Sequence, residues 1–468
     1  MATQKFRKAF HEIEKVLGAD MAVVILLGLR KTGKTTILKQ LAEKYGGYYV
    51  DFRASPDPVN DYLDIYEREE KLILLDEIGY LPAYDAYFGN LEKDIRTAGK
   101  KIVITSSSYG TLKQQASEQL GGGRSYPVEI FPLCFEEYLY FTDKISGYGE
   151  RYEPSEQDLQ DFYRLKNVPE GMEFIINREY LRTVFIDAEA AHENAQAAVR
   201  DISLDRSYYA SVLDIIAYTL NDKISLKRFR GMQVGAQELG KDVKGLPISK
   251  SLISLANNIV SGITNGLFEN VGIKELARIV AYLYQNGFIY VDLARNENGI
   301  QPIDRVRHEL AFITTADDFE QILSRYTFSV ISPLLYTRLM VDLEDIAGKL
   351  CTGSVYGRLY ELTVKSELIY KNGYDTEHFS YKYAENPIEV DLWQNNLLLE
   401  ATVRHKSDRE HSVDKVALNY KVIRILTDEA GEYSFNGTYY RIGYPKALLM
   451  LSNSDIFDLE SRKAIEIP

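Results

Sequence analysis

Over the first third of the chain, short unbroken apolar runs alternate with stretches in which apolar residues recur every three or four positions. Ala22 to Leu27, Leu72 to Leu75 and Ile102 to Ile104 are unbroken runs, the pattern of strands buried on both faces. Tyr48 to Phe52 predicts a further strand that ends near Asp51. Phe6, Phe10, Ile13, Val16 and Leu17 mark an amphipathic first helix, closed by Gly18 and packed against the strand-and-helix unit downstream. Ile37, Leu38, Leu41, Ala42 and Tyr45 keep helical spacing up to Gly46-Gly47, where glycine readily takes the left-handed stop conformation. Asp57-Pro58 is a cap followed by proline at the first helical position and predicts a helix to about Glu70; Leu91 to Ala98 predicts another, ended by Gly99. Strands alternating with helices predict an α/β unit with a parallel sheet.

From about Glu153 to Asn296 the pattern is mainly helical, including an apolar segment from Leu213 to Leu220. Ile273, Leu276, Ile279, Val280 and Leu283 form a helical stripe, Asn286-Gly287 breaks it, and Phe288 to Val291 reads as a strand. Helix, turn and strand in that order end a winged helix-turn-helix, and equally end many small α/β units. After a turn at Asn296 to Gly299 come a helix from about Val355 to Tyr370 and strands at Phe379 to Tyr383, Ile388 to Trp393 and Leu397 to Val403.

Between the first strand and its helix stands Gly28-Leu29-Arg30-Lys31-Thr32-Gly33-Lys34-Thr35, which fits G-x-x-x-x-G-K-[ST], the P-loop, at every fixed position. Its glycines let backbone N–H groups close around phosphates, aided by the positive helix N-terminus. Gly28, Arg30, Lys31, Thr32, Gly33, Lys34, Thr35 and Thr36 are therefore the candidate ATP-binding residues, with Lys34 reaching the β- and γ-phosphates and Thr35 ligating Mg²⁺. The strand Leu72 to Leu75 delivers Asp76-Glu77 at its carboxyl end, the Walker B arrangement. Asp76 is the second Mg²⁺ residue, and Glu77 is placed to orient or deprotonate a water. Ile102 to Ile104 runs into Thr105-Ser106-Ser107-Ser108; Ser107 is the candidate γ-phosphate sensor there, against the alternative of a hydroxyl-rich cap. Arg124, behind three glycines, is a candidate for placing positive charge on a γ-phosphate in its own or a neighbouring subunit, against an ordinary exposed arginine.

These motifs, together with Gly123-Arg124 and Pro132-Leu133-Cys134-Phe135-Glu136-Glu137-Tyr138-Leu139, resemble a family of prokaryotic ATPases in the AAA+-like, additional-strand class of P-loop proteins. The family typically has glycine where this chain has Ser106 and serine where it has Cys134. The resemblance is close over the first third of the chain and loose beyond it. It implies a P-loop ATPase domain over 1–145, a helical and winged-helix-like region over 146–300, and a restriction-endonuclease-like α/β domain over 301–468. In the last, Glu361, Asp391 and Glu400 are a candidate second metal site. The lysine that such nucleases carry two residues after the second acid is Thr402 here; Arg404 and Lys406 are out of pattern, and arginine does not act as a base. The resemblance thus implies the nuclease fold and argues against cleavage.

Composition narrows the partners. The chain has 468 residues, too many for one core and enough for about three domains. At 45% hydrophobic and 26% charged it reads as a soluble globular protein, with no apolar run near the roughly 18 residues of a membrane span and no signal peptide; a cytoplasmic location is expected. Two distant cysteines, Cys134 and Cys351, suit reduced thiols. A net charge of −13 argues against generic nucleic-acid coating. Even so, Lys223, Lys227, Arg228, Arg230, Lys241 and Lys244 form a local basic stretch that is either a nucleic-acid contact or a solvated face. The 35 tyrosines could stack, pack or line an interface. The leading expectation is an ATPase using ATP and Mg²⁺, coupled to DNA or a protein partner, with oligomerisation open. The alternatives are a nucleotide-controlled binding switch with little turnover, and a metal-dependent nuclease. A kinase is disfavoured by Asp76-Glu77, which suits water as acceptor.

Overall fold

The computed structural model describes residues 4–19, 21–82, 84–106, 112, 125–172, 287–295, 326–335, 354–372, 379–382, 389–394, 397–402, 421–426, 433–435 and 439–452. These residues divide into two compact units: the first holds everything described up to Leu133, and the second begins at Cys134 and takes in the chain from Phe288 on.

The first unit is built on five strands: β1 (Val23–Gly28), β2 (Tyr48–Asp51), β3 (Leu72–Asp76), β4 (Lys101–Thr105) and β5 (Ser125–Ile130). All pair in parallel, in the order β2-β3-β4-β1-β5. β4 therefore lies between the P-loop strand and the Walker B strand, the additional strand expected from the sequence. Helices cover both faces, which is why the strands are unbroken apolar runs. On one face Val24, Leu26, Leu74 and Val103 pack with Phe10, Ile13, Ile37, Leu38 and Leu41 from α1 (Lys8–Gly18) and α2 (Lys34–Tyr45). On the other, Val23, Ile25, Ile73, Leu75, Ile102 and Ile104 pack with Tyr62, Leu91 and Ile95 from α3 (Pro58–Asp64) and α4 (Tyr84–Thr97). Alternate residues of each strand thus enter two cores.

Three elements differ from the sequence expectation. α3 stops at Asp64 instead of about Glu70, because the Lys100 ammonium takes the carbonyls of Ile65 and Arg68 and so satisfies them outside a helix. α4 begins at Tyr84, about two turns before the expected Leu91. β5 carried no strand signal, since Pro127 lies in it; it is the edge strand, where a missing N–H is tolerated.

In the second unit, α5 (Phe135–Phe141) and α6 (Glu156–Tyr163) pack with α7 (Ser354–Asn372) and α8 (Tyr444–Ser452). The Tyr163 hydroxyl lies 2.8 Å from Thr363 Oγ1, and the Tyr444 hydroxyl donates to the Tyr360 carbonyl at 2.8 Å. Glu367 Oε1, from α7, accepts the Phe135 N–H at the start of α5. Cys134 caps that helix, its sulfur accepting from Glu137 N–H while the Glu137 carboxylate accepts from Cys134 N–H. The thiol takes the part that a serine or threonine hydroxyl plays in a capping box. Ser155 does the same for α6, exchanging hydrogen bonds with Asp158. Ser155→Ala is expected to lower stability by about 1 kcal/mol in chemical denaturation; an unchanged midpoint would remove the cap from the stability of this unit.

The second sheet has eight described strands. Added to β6 (Ile289–Arg295) and β7 (Tyr326–Val330) are β8 (Phe379–Lys382), β9 (Glu389–Gln394), β10 (Leu397–Thr402), β11 (Lys421–Leu426), β12 (Tyr433–Phe435) and β13 (Tyr439–Gly443). Their order is β12-β13-β11-β10-β9-β8-β6-β7. β8, β9 and β10 form an antiparallel meander, and β11 runs parallel to β10. β6, read from sequence as the end of a winged-helix-like segment, pairs here with β7 and β8. The helices expected at Leu213 to Leu220 and at Ile273 to Leu283, the basic stretch from Lys223 to Lys244, and Cys351 lie outside the described residues.

Candidate functional site

The P-loop leaves β1 at Gly28 and enters α2 at Lys34. Three of its residues have positive φ, Gly28 at 158°, Lys31 at 62° and Gly33 at 100°; at the two glycine positions a side chain would be strained. The Thr32 hydroxyl donates to the Leu29 carbonyl at 2.6 Å, which ties the loop to itself. Lys34 is buried, and its ammonium donates to the carbonyls of Gly28 at 2.8 Å and Leu29 at 2.9 Å. Burial pushes the Lys34 ammonium below the ordinary lysine range, against the pull of Glu77 and Asp76 and with help from Arg30. Arg30, Gly33 and Thr35 are half-buried at the loop, and Lys31 and Thr36 are exposed.

Asp76 ends β3, opposite Asp51 of β2. The residue is 1% exposed. Oδ2 accepts from the Tyr49 hydroxyl at 2.8 Å, and the Thr35 side chain stands close enough to this carboxylate to favour its charged form. Oδ1 is buried with no hydrogen-bond partner among the described residues. An unpartnered buried carboxylate oxygen is costly, and a hard cation or its water is the natural partner for one. Thr35 and Asp76 thus fit a Mg²⁺ ion. Burial raises the Asp76 carboxyl above its ordinary 3.8, opposed by the bonds from Thr35 and Tyr49.

That shift has a measurable sign. A carboxyl raised in the folded state favours the protonated form, so its contribution to stability is present at low pH and lost as pH rises through the raised pKa. Thermal melts of nucleotide-free protein across about pH 4 to 8 are expected to show wild type losing stability relative to Asp76→Asn as pH rises. Parallel curves would contradict the raised pKa.

Glu77 follows with φ 55° and ψ 48°, a left-handed conformation that is uncommon outside glycine and asparagine. It is buried and begins the short 3-10 turn Ile78–Tyr80, with the Tyr80 N–H bonded to its carbonyl. Strain of this kind concentrates at functional sites. Thr105, at the end of β4, is fully buried, and its hydroxyl has no partner among the described residues; Ser106 beside it is buried too.

P-loop and Walker B residues meet as the sequence predicts. Ser107 and Arg124 lie outside the described residues. Asp391 and Glu400 fall on the neighbouring antiparallel strands β9 and β10, whose pairing runs from Leu397 opposite Gln394 to Leu399 opposite Leu392. Glu361 lies on α7, 3.5 Å from Lys365 Nζ. Among the described residues no group of three or more acids, histidines or cysteines is arranged to hold a metal ion. Sequence reading missed Tyr49 as a partner of Asp76; its place in β2, two residues before the strand-end Asp51, was the available signal.

Residues 20–139 match the family model described as an AAA domain. The P-loop and Asp76-Glu77 both lie inside this AAA domain, whose match runs from before β1 into α5. Among solved structures, the chain is similar to a Walker-type ATPase of Pyrococcus abyssi, at 14% identity over 68% of this chain and 95% of that one, TM-score 0.32. It is also similar to the RuvB Holliday junction branch migration motor of Thermotoga maritima (15% identity, 65% and 92% covered, TM-score 0.25) and to AMPPCP-bound DnaA from Aquifex aeolicus (14%, 58% and 92%, 0.27). A search of curated proteins gives no match. No helix among the described residues is long and apolar enough to cross a membrane.

Proposed function

We propose that this chain binds ATP with Mg²⁺ and hydrolyses it to ADP and phosphate. The observation that carries this reading is the buried Asp76 carboxylate, with Oδ2 held by Tyr49, Oδ1 left unpartnered, Thr35 of the loop beside it and Glu77 next in sequence. Thr35 and Asp76 would hold Mg²⁺, which neutralises charge on the β- and γ-phosphate oxygens. Lys34 exchanges its loop carbonyls for phosphate oxygens when nucleotide enters. Gly28, Arg30, Lys31, Thr32, Gly33 and Thr36 complete the loop around the phosphates. Glu77 orients a water and accepts its proton as the water oxygen bonds to the γ-phosphorus and the bond to the bridging oxygen breaks. Ser107 and Arg124 are proposed to sense and stabilise the γ-phosphate, the latter in its own or a neighbouring copy.

The second unit is proposed as the part that meets DNA. A helix, a three-strand antiparallel meander and a further strand parallel to the third, α7-β8-β9-β10-β11, support a restriction-endonuclease-like core, with Asp391 on β9 and Glu400 on the neighbouring β10. Thr402 in the lysine position and Glu361 beside Lys365 favour binding over cleavage. ATP turnover of purified chain, with and without duplex DNA, tests both parts. Turnover that DNA raises supports a DNA-coupled ATPase. Tight ATP binding with negligible turnover in either condition would instead make the chain a nucleotide-controlled switch, and Mg²⁺-dependent cutting of the DNA would overturn the non-cleaving reading.

A further inference from the structure

The structure assigns Arg7, ahead of the first helix and outside every recognised motif, as a positioning residue of the phosphate cradle. The residue is 9% exposed. Nη1 donates to the Thr32 carbonyl at 2.8 Å, and Nη2 donates to the Phe131 carbonyl at 2.8 Å. A Cβ built on Gly33 would lie 4.0 Å from Nη1, so the charge stands directly behind the Thr32–Gly33 peptide of the P-loop.

The peptide unit is planar and trans, so its C=O and N–H point in opposite directions. Holding the Thr32 carbonyl against Arg7 turns the Gly33 N–H to the other side of the loop, where a phosphate is cradled. The guanidinium keeps its charge at every accessible pH and offers a rigid fork of donors. It therefore both aims one phosphate-facing amide and adds fixed positive charge behind it, where burial limits screening. The segment that carries Arg7 is anchored: Phe6 stacks on Phe10 at 4.2 Å, and Phe10 and Ile13 are fully buried. The second arm, on Phe131, spans to the chain just past β5. One residue thus braces the loop against the strand that flanks it.

This inference rests on the ATP-binding reading above, and the test separates the two. ATP and ADP affinities are measured for wild type, Arg7→Met, Arg7→Lys and Ile13→Val, each shown folded by circular dichroism at the assay temperature. Arg7→Met is expected to weaken both nucleotides about 10-fold or more, the scale of one charged hydrogen bond. Arg7→Lys keeps the charge but has no fork to bridge two carbonyls, and is expected to bind several-fold more weakly than wild type. Ile13→Val trims the same helix's buried face and is expected to lower the melting temperature with affinity unchanged. Nucleotide affinity within twofold of wild type in folded Arg7→Met overturns the assignment and leaves Arg7 as a structural clip. If Arg7→Met does not fold, Arg7→Lys decides by the same criterion. Wild type that binds no nucleotide would defeat the ATP-binding reading instead.

Discussion

Glu77→Gln is expected to bind ATP as tightly as wild type and to hydrolyse it about 10²- to 10⁴-fold more slowly, the usual contribution of a positioned general base. The substitution is nearly isosteric. It leaves the left-handed backbone at Glu77 and the Tyr80 N–H bond to its carbonyl in place, and it leaves Asp76, Thr35 and Lys34 untouched. What it removes is the carboxylate that takes a proton from water. Glu77 also contributes negative charge felt by both Lys34 and Asp76. Its loss therefore adds positive potential at the phosphates, so ATP affinity has no reason to fall. Turnover and ATP dissociation constants measured side by side read this directly. Turnover within tenfold of wild type would take Glu77 out of the chemistry; a large loss of affinity would mean that it shapes the site instead.

Gly28→Ala is expected to cost about 3 kcal/mol of stability, the upper end of ordinary single-residue effects, and to weaken nucleotide binding with it. Gly28 ends β1 and pairs in register with Ile130 of β5. An added Cβ would fall 2.2 Å from the Ile130 carbonyl oxygen and 2.5 Å from its Cγ2. The obstacle is strand backbone, which has no rotamer to turn away, so the two strands must part where the P-loop begins. That movement shifts the Gly28 carbonyl that Lys34 now uses and disturbs the Phe131 carbonyl that Arg7 holds. Gly18→Ala is the control: nothing lies within 4 Å of its built Cβ, and at the end of α1 it is expected to be neutral or to stabilise by about 0.5–1 kcal/mol. Denaturation midpoints of the two variants should move in opposite directions or differ by most of the predicted cost. Equal midpoints would show that β1 and β5 yield easily.

The first unit was legible in the chain because its information is local. An apolar run of three to six residues between polar stretches reads as a strand buried on both faces, and Gly28 to Thr35, between strand and helix, fits the phosphate-loop pattern at every fixed position. α1, α2, β1 to β4 and the pairing of Asp76-Glu77 with the P-loop follow from spacing alone. β9 and β10 were likewise readable as strands bearing Asp391 and Glu400.

Tertiary structure decided what depends on partners distant in sequence. β5 became a strand despite Pro127 because it took the sheet edge. α3 ended early because Lys100, 35 residues on, claims the Ile65 carbonyl. Tyr49 reaches Asp76 across 27 residues, and Arg7 reaches Phe131 across 124; no periodicity announces either, since a hydrogen bond between remote segments leaves no pattern in the intervening chain. The sequence by itself determined where the P-loop motif and Asp76-Glu77 stand, because such motifs need particular residues at fixed local spacing. Only the fold decided which side chains brace that chemistry, because bracing is a matter of which distant groups meet when both faces of the sheet are covered.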